Sequence, residues 1–233
     1  MSPGWNPASG APVIADGRVD IDPADELPGM FYFFLNAVIV PRPIAWVSSR
    51  SPEGTDNLAP HSFFTVASVD PPIVQFTSIG RKDSLRNIEQ TRDFVVSFTP
   101  AALIAEVNAT ATDLPPLVSE FDAVGVTREP ARRVAAARVA ESPVALECTL
   151  HATVSFGIST VVMGRVVHAA IDPAVLRDGR PAIDLLDPAS RLGGNEWGRL
   201  DLDRIANVTR IGHHEWPGHY QARASSGGGE DVA

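Results

Sequence analysis

The chain has 233 residues, of which 44% are apolar and 20% charged, with a formal net charge of −9. That balance excludes a largely disordered or fibrous chain, and the length suits one generous domain or two small ones. A binder of a phosphate polymer needs clustered positive charge, so nucleic acid is excluded as the principal partner.

Of the 19 basic residues, 18 are arginine and one is lysine, Lys82. The lone cysteine, Cys148, sits in an alternating stretch, Ala145 to Leu150, where a buried, inert thiol is expected. A single thiol suits a reducing compartment. The longest apolar runs are broken by Arg42 and Arg165, and none approaches the roughly 20 residues of a membrane span. The first residues lack a basic region followed by an apolar run, so no secretory signal is expected. The expectation is a cytoplasmic protein without a membrane partner.

Residues 1–27, rich in Pro, Gly, Asp and Ala, read as a leader, residues 28–212 as the folded domain and residues 213–233 as a tail. Within the domain the pattern is mostly strand-like. Ile44 to Ser49 is a short apolar strand, followed by turn residues Ser51 to Gly54. Ser62 to Val69 is a second strand, ended by Asp70-Pro71-Pro72, because proline cannot donate to a ladder. Ile73 to Ile79 is a third, closed by Gly80. Asp83 to Thr91 places Leu85 and Ile88 on one helical face, with Asp83 as the N-cap. Phe94 to Phe98 is a strand and Ala101 to Thr110 a second helix. Pro116 and Asp172-Pro173 mark shorter helical turns. Val144 to Phe156 and Thr160 to Ile171 form the longest hairpin, turning at Gly157. Many short antiparallel strands with two modest helices point to a closed or nearly closed barrel. A doubly wound parallel sheet and a dinucleotide fold are disfavoured, since no Gly-x-Gly-x-x-Gly joins a strand to a helix.

Three segments carry polar residues without an evident structural task. In Val40-Pro41-Arg42-Pro43, two prolines fix the backbone around Arg42, so the guanidinium either binds an anion or carbonyl or stands as a surface arginine. In Asn57-Leu58-Ala59-Pro60-His61-Ser62-Phe63, Pro60 interrupts the strand pattern, giving either a simple bulge or backbone groups free for a ligand. In Ser78 to Asn87 a strand ends at Gly80 and a helix begins, with Arg81, Lys82 and Ser84 clustered beside exposed amides. That combination suits a small phosphate site, against the alternative of a solvated charge cluster. His213, His214, Glu215 and His219 read as a surface tail rather than a metal site, because adjacent histidines do not share a face. Glu147 and His151, four apart on a strand, point the same way, with Cys148 opposite, so no nucleophile pair is expected.

Taken together, Pro41-Arg42-Pro43-Ile44-Ala45-Trp46-Val47-Ser48-Ser49, Asn57 to Phe64, Asp70-Pro71-Pro72 and Lys82 to Ile88 resemble the flavin reductase-like, FMN-binding split-barrel family, which includes flavoredoxins and reductase components of two-component monooxygenases. Ala145-Leu146-Glu147-Cys148, Gly164-Arg165-Val166-Val167 and Arg191-Leu192-Gly193-Gly194, followed by Trp197, agree with it. The resemblance implies a mainly β, six-stranded antiparallel Greek-key split barrel with a few short helices, a homodimer, and bound FMN, with FAD as the other candidate. By position, it implies that Ser48, Ser49, Lys82, Asp83 and Ser84 surround the ribityl phosphate. Asn57, Ala59, Pro60, His61, Ser62 and Phe63 line the ring edge, and Arg42, Trp46 and Val47 complete the cofactor-binding set. The family often has threonine where this chain has Ser49 and Ser84, and tyrosine near Trp197. Flavin carries the difficult chemistry in such proteins. The expected activity is therefore hydride transfer from NAD(P)H to flavin, with no catalytic side chain and no metal. His61 is the candidate for tuning the ring. An oxygenase component is a candidate partner. The other readings are a non-catalytic electron carrier or oxygenase subunit, and a small-ligand barrel without flavin.

Overall fold

A computed structural model describes residues 21–24, 29–115 and 117–206. Most of the expected leader, the tail, its histidines and Pro116 lie outside the described residues. Helix α1 (Met30–Val38) opens the described domain. The principal sheet contains β1 (Ala45–Arg50), β2 (Asp56–His61), β3 (Phe64–Ser68), β4 (Ile73–Ile79), β5 (Asp93–Ser97), β6 (Val144–Phe156) and β7 (Ser159–Ile171). Helices α2 (Asp83–Thr91), α3 (Ile104–Ala109) and α4 (Glu120–Val124) lie in the connections.

The strand order is β2-β1-β5-β6-β7-β4-β3, and every pairing is antiparallel. Its two edges, β2 and β3, are consecutive in the chain and separated only by Ser62 and Phe63. The two edges are thus joined by a two-residue link, whose Phe63 carbonyl accepts from Thr77 N–H of β4 at 3.0 Å. The pairings β1–β5 and β7–β4 skip sequence neighbours and give the Greek-key crossovers. Seven strands replace the six expected. The addition is β2, where Pro60 pairs with Trp46 inside the ladder instead of ending a strand. Proline is tolerated there because β2 pairs on one side only within the sheet.

Strand β1 is buried on both faces, and its alternation feeds two cores. Ala45 and Val47 join Val74, Phe76, Leu85, Ile88, Phe94, Val96, Cys148, Leu150 and Val162. Trp46 joins Ile44, Leu58, Val107, Phe121, Val126 and Val139. Leu85 and Ile88 bring the apolar face of α2 into the first core, as their spacing requires. A separate three-stranded sheet pairs Arg42–Pro43 with Ala189–Arg191, and the latter with Trp197–Arg199.

Gly164 explains itself by close approach. A Cβ built there overlaps the Phe94 ring and stands 3.0 Å from the Cβ of Cys148. The Phe94 ring in turn meets Phe76 edge-on at 5.7 Å and is fully buried, so moving it disturbs the core. Gly164→Ala is expected to lower the unfolding free energy by about 1–3 kcal/mol, read from urea denaturation; an unchanged midpoint contradicts this packing.

Candidate functional site

The bend between β2 and β3 opens a cleft of about 300 Å³. Asn57, Ala59, Pro60, His61, Ser62 and Phe63 form one wall. Thr77, Ser78 and Ile79, at the end of β4, lead into Gly80, whose φ of +77° turns the chain into α2. Lys82, Asp83 and Ser84 then form the second wall, and Thr110 to Leu114, after α3, the third. Tyr32 of α1 also borders the cleft. Lys82, not Asp83, is the N-cap of α2; its backbone is extended and no side chain caps the helix. The first intrahelical amide bond is Arg86 N–H to Lys82 O at 3.1 Å. The amides of Asp83, Ser84 and Leu85 therefore have no intrahelical acceptor, and they carry the positive end of the helix dipole.

Behind this wall lies a buried hydrogen-bond network. Ser84 Oγ donates to Asn57 Oδ1 at 2.8 Å, and Ser49 Oγ to the same oxygen at 3.3 Å. Asn57 Nδ2 donates to Glu120 Oε2 at 3.0 Å, and the Leu58 amide to that oxygen at 2.9 Å. Asn87 Nδ2 reaches Ser49 Oγ at 3.2 Å. Each serine hydroxyl has one proton, and both protons go to Asn57. In this arrangement both hydroxyls face Asn57 behind the wall.

Lys82 Nζ lies 3.0 Å from Asp113 Oδ1, bringing together two walls of the cleft. Both side chains are exposed, and such pairs contribute about 0–1 kcal/mol. The Lys82–Asp113 pair is therefore broken at little cost. Asp83 is paired with Arg86, and Arg81 with Glu89 at 2.7 Å. The His61 ring packs 4.5 Å from that of Phe76. Although the ring is half-buried, its Nε2 is enclosed without a hydrogen-bond partner. Burial pushes its pKa from 6.5 down to about 4, with a backbone hydrogen bond at Thr77 opposing and Lys82 assisting.

Five expected site residues do not line the cleft. Arg42 is buried, and it donates to the carbonyls of Asn36 at 2.6 Å, Ile39 at 2.8 Å and Leu192 at 2.7 Å. Its rigid presentation serves carbonyls of its own chain, pinning the end of α1 to the Leu192 turn. Trp46 is fully buried and donates Nε1–H to Thr110 Oγ1 at 2.9 Å, anchoring the third wall. Val47 is core, Ser48 bonds to the Ala137 carbonyl, and Ser49 belongs to the Asn57 network. The structure adds Tyr32, Glu120, Thr77 to Ile79 and Thr110 to Leu114 to the lining. A lone glutamate opening a five-residue helix carries no sequence signal of its own. Tyr32 hides in the apolar run Met30–Val38.

Cys148 is buried and inert as expected: burial, then the Glu147 carboxylate, pushes its thiol up to about 12. Glu147 is fully buried. Burial favours its neutral form, but the Arg132 amide, Arg138 and the Arg133 amide outweigh it and lower the pKa. Those amides donate at 2.9 and 2.6 Å, and Arg138 Nε at 2.9 Å. His151 does not share that environment. The β6–β7 ladder shifts register at this point, leaving His151 exposed.

The model described as "Flavin reductase like domain" matches residues 37–188. An uncharacterized protein of Deinococcus radiodurans is 38% identical over 204 residues, covering 82% of this chain and 89% of that one. The crystal structure of nitrilotriacetate monooxygenase component B from Bacillus cereus superposes with a TM-score of 0.76 at 28% identity, covering 83% of this chain and 98% of that one. A split-barrel-domain protein from Shewanella frigidimarina NCIMB 400 shares the fold, with a TM-score of 0.72 at 20% identity over 81% of this chain and 96% of that one.

Titration of His61 gives a test of the cleft's electrostatics. Between pH 6.5 and about 4 the unfolded state holds more protons than the folded state, so stability falls as the pH is lowered through that window. The loss is at most about 3 kcal/mol. His61→Gln should flatten this part of the stability–pH curve; a wild-type curve of the same slope as the variant's contradicts the burial of the imidazole.

Extent of the family match, fold and chain coverage agree: this chain is a split-barrel member of the flavin reductase-like family, a flavin oxidoreductase by family.

Proposed function

We propose that the cleft binds FMN and that the chain is an NAD(P)H-dependent flavin reductase, its flavin-binding domain spanning residues 28–212. The observation that carries this reading is the uncapped start of α2, which opens into the cleft beside the chain's single lysine. The donor set fits a flavin nucleotide. Free amides and an ammonium group suit a dianionic phosphate. The bend at Ser62 and Phe63 lies outside both flanking strands and lines the same cleft, so backbone groups there can meet a planar ring edge. When bound, the flavin supplies two-electron chemistry, taking up hydride from a nicotinamide.

The chain's own tasks are to bind and orient. The Asp83, Ser84 and Leu85 amides with Lys82 hold the phosphate. Ser84 acts indirectly: by donating to Asn57 it fixes the first turn of α2 against β2. The Pro60 to Phe63 segment orients the ring and keeps one face of the cleft open for the second substrate. FMN is favoured over FAD because the cleft, about 300 Å³, stands at the lower limit of ligand pockets, roughly 300–1,000 Å³.

The same size supports a homodimer in which a second copy completes the enclosure. Helix α1 is apolar nearly all round, yet Tyr32 is 43% and Leu35 41% exposed, and Phe156 and Ile158 of the long hairpin are 66% and 77% exposed. These exposed apolar side chains support a contact with a second copy. The name component B of the B. cereus neighbour supports delivery of reducing equivalents to a separate oxygenase. The buried, unpaired Cys148 supports a reducing, cytoplasmic setting. Among the described residues no helix is long and apolar enough to cross a membrane.

FMN and riboflavin titrations separate the phosphate from the ring. Lys82→Ala is expected to weaken FMN binding by about 1.5–3 kcal/mol, while riboflavin affinity is unchanged. Equal loss for both ligands, or none for FMN, contradicts the placement of the phosphate. Light scattering should give twice the chain mass of 24.8 kDa; a monomer that still binds FMN fully contradicts the dimeric enclosure.

A further inference from the structure

Beside the cleft lies an alcove built on the three-stranded sheet. Register places Arg191 opposite both Arg42 and Trp197. The Arg191 guanidinium carbon stands 4.9 Å from the centre of the Trp197 ring, a cation–π contact that spends none of its N–H donors on a hydrogen bond. One N–H of Arg191 donates to the Gly194 carbonyl at 2.8 Å. Among the described residues no carboxylate lies within ion-pair distance of Arg191, whereas Arg128 and Arg138 each have two and Arg177 has one. Arg191 has five N–H donors, so most of them are unspent. The side-chain amides of Asn108 and Asn195 line the same hollow and make no hydrogen bond among the described residues. An adjoining hollow of about 210 Å³ extends from Arg191 and Trp197 to Pro60, Ser62 and Ala111, which also line the main cleft. A ligand in the cleft and a group held by Arg191 are therefore near neighbours.

We propose that the Arg191–Trp197 alcove is an oxyanion subsite. It receives a phosphate or carboxylate of the second substrate while that substrate's reacting part enters the main cleft past Pro60 and Ser62. Arg191 supplies the charge and a bidentate edge, and Asn108 and Asn195 supply neutral donors that adapt to either oxyanion. An unpaired cation among neutral amides selects for an anion and against a neutral or cationic substrate. Trp197 holds the guanidinium in place and gives the planar wall of the hollow. The proposal rests on the flavin reading of the cleft only for the identity of the reaction; the anion site itself does not require it.

Two probes distinguish the sources of the anion: pyrophosphate stands for a dinucleotide donor, and benzoate for a carboxylate acceptor. Each is titrated into the full-length chain, with and without FMN, following tryptophan fluorescence; Trp197→Phe identifies the signal. Saturable binding of either probe is expected, weakened about ten- to hundredfold in Arg191→Gln. Asn108→Asp, which sets a carboxylate beside the guanidinium, is expected to weaken it as well and serves if Arg191→Gln fails to fold. In NAD(P)H-driven flavin reduction the same variants should raise KM for the anionic substrate with kcat and FMN affinity unchanged. If wild type binds no FMN, the flavin reading fails while the anion titration still reports on the alcove. If neither probe saturates, or if both bind Arg191→Gln and Asn108→Asp as tightly as wild type, the subsite is overturned.

Discussion

The side-chain amide of Asn57 joins three elements that are far apart in sequence. Its oxygen accepts from Ser84 on α2 and Ser49 on β1, and its nitrogen donates to Glu120 on α4. Because these groups are buried, each one left unpaired costs about 1–3 kcal/mol. The network thus locks the start of α2 against the bent strand, and the gap between those two walls is the cleft. Any account of what the cleft holds depends on that spacing. Glu120 adds a second constraint by accepting the Leu58 amide, which fixes the approach to Pro60 and His61.

Closure of the barrel puts irregular backbone where a ligand can use it. A sheet whose two edges are consecutive strands must turn between them, and here the junction is Ser62-Phe63. The Phe63 carbonyl still accepts from Thr77 N–H at 3.0 Å, so the bend is held to β4. Two clamps set the surrounding walls: Arg42 gathers three carbonyls, and Trp46 fixes Thr110. Both residues shape the cleft without lining it.

Much of this architecture was legible in the chain. Strands β4, β6 and β7 and helix α2 follow from alternation, 3.6-residue spacing and punctuation by Gly80, Gly157 and Asp70-Pro71-Pro72. The family followed from motifs taken jointly. What escaped has physical causes. Pro60 reads as a strand break because whether a strand is an edge is decided by tertiary pairing. Met30–Val38 shows no polar face from which helical period can be read. That Ser49 and Ser84 converge on Asn57 is likewise set by tertiary packing. Arg42 lies between two prolines in a pattern that suits an anion, but burial gives its donors to the chain's own carbonyls. Glu120 and the Thr110 to Leu114 wall are brought in from elsewhere by packing, which no local pattern records.

The most direct test of the central claim is a crystal structure of the full-length chain grown with FMN. The account predicts phosphorus density within hydrogen-bonding reach of the Ser84 amide and Lys82, the ring along Pro60 to Phe63, and Ser84 Oγ still on Asn57. Flavin bound away from α2, or its phosphate in solvent with Lys82 still on Asp113, would contradict it.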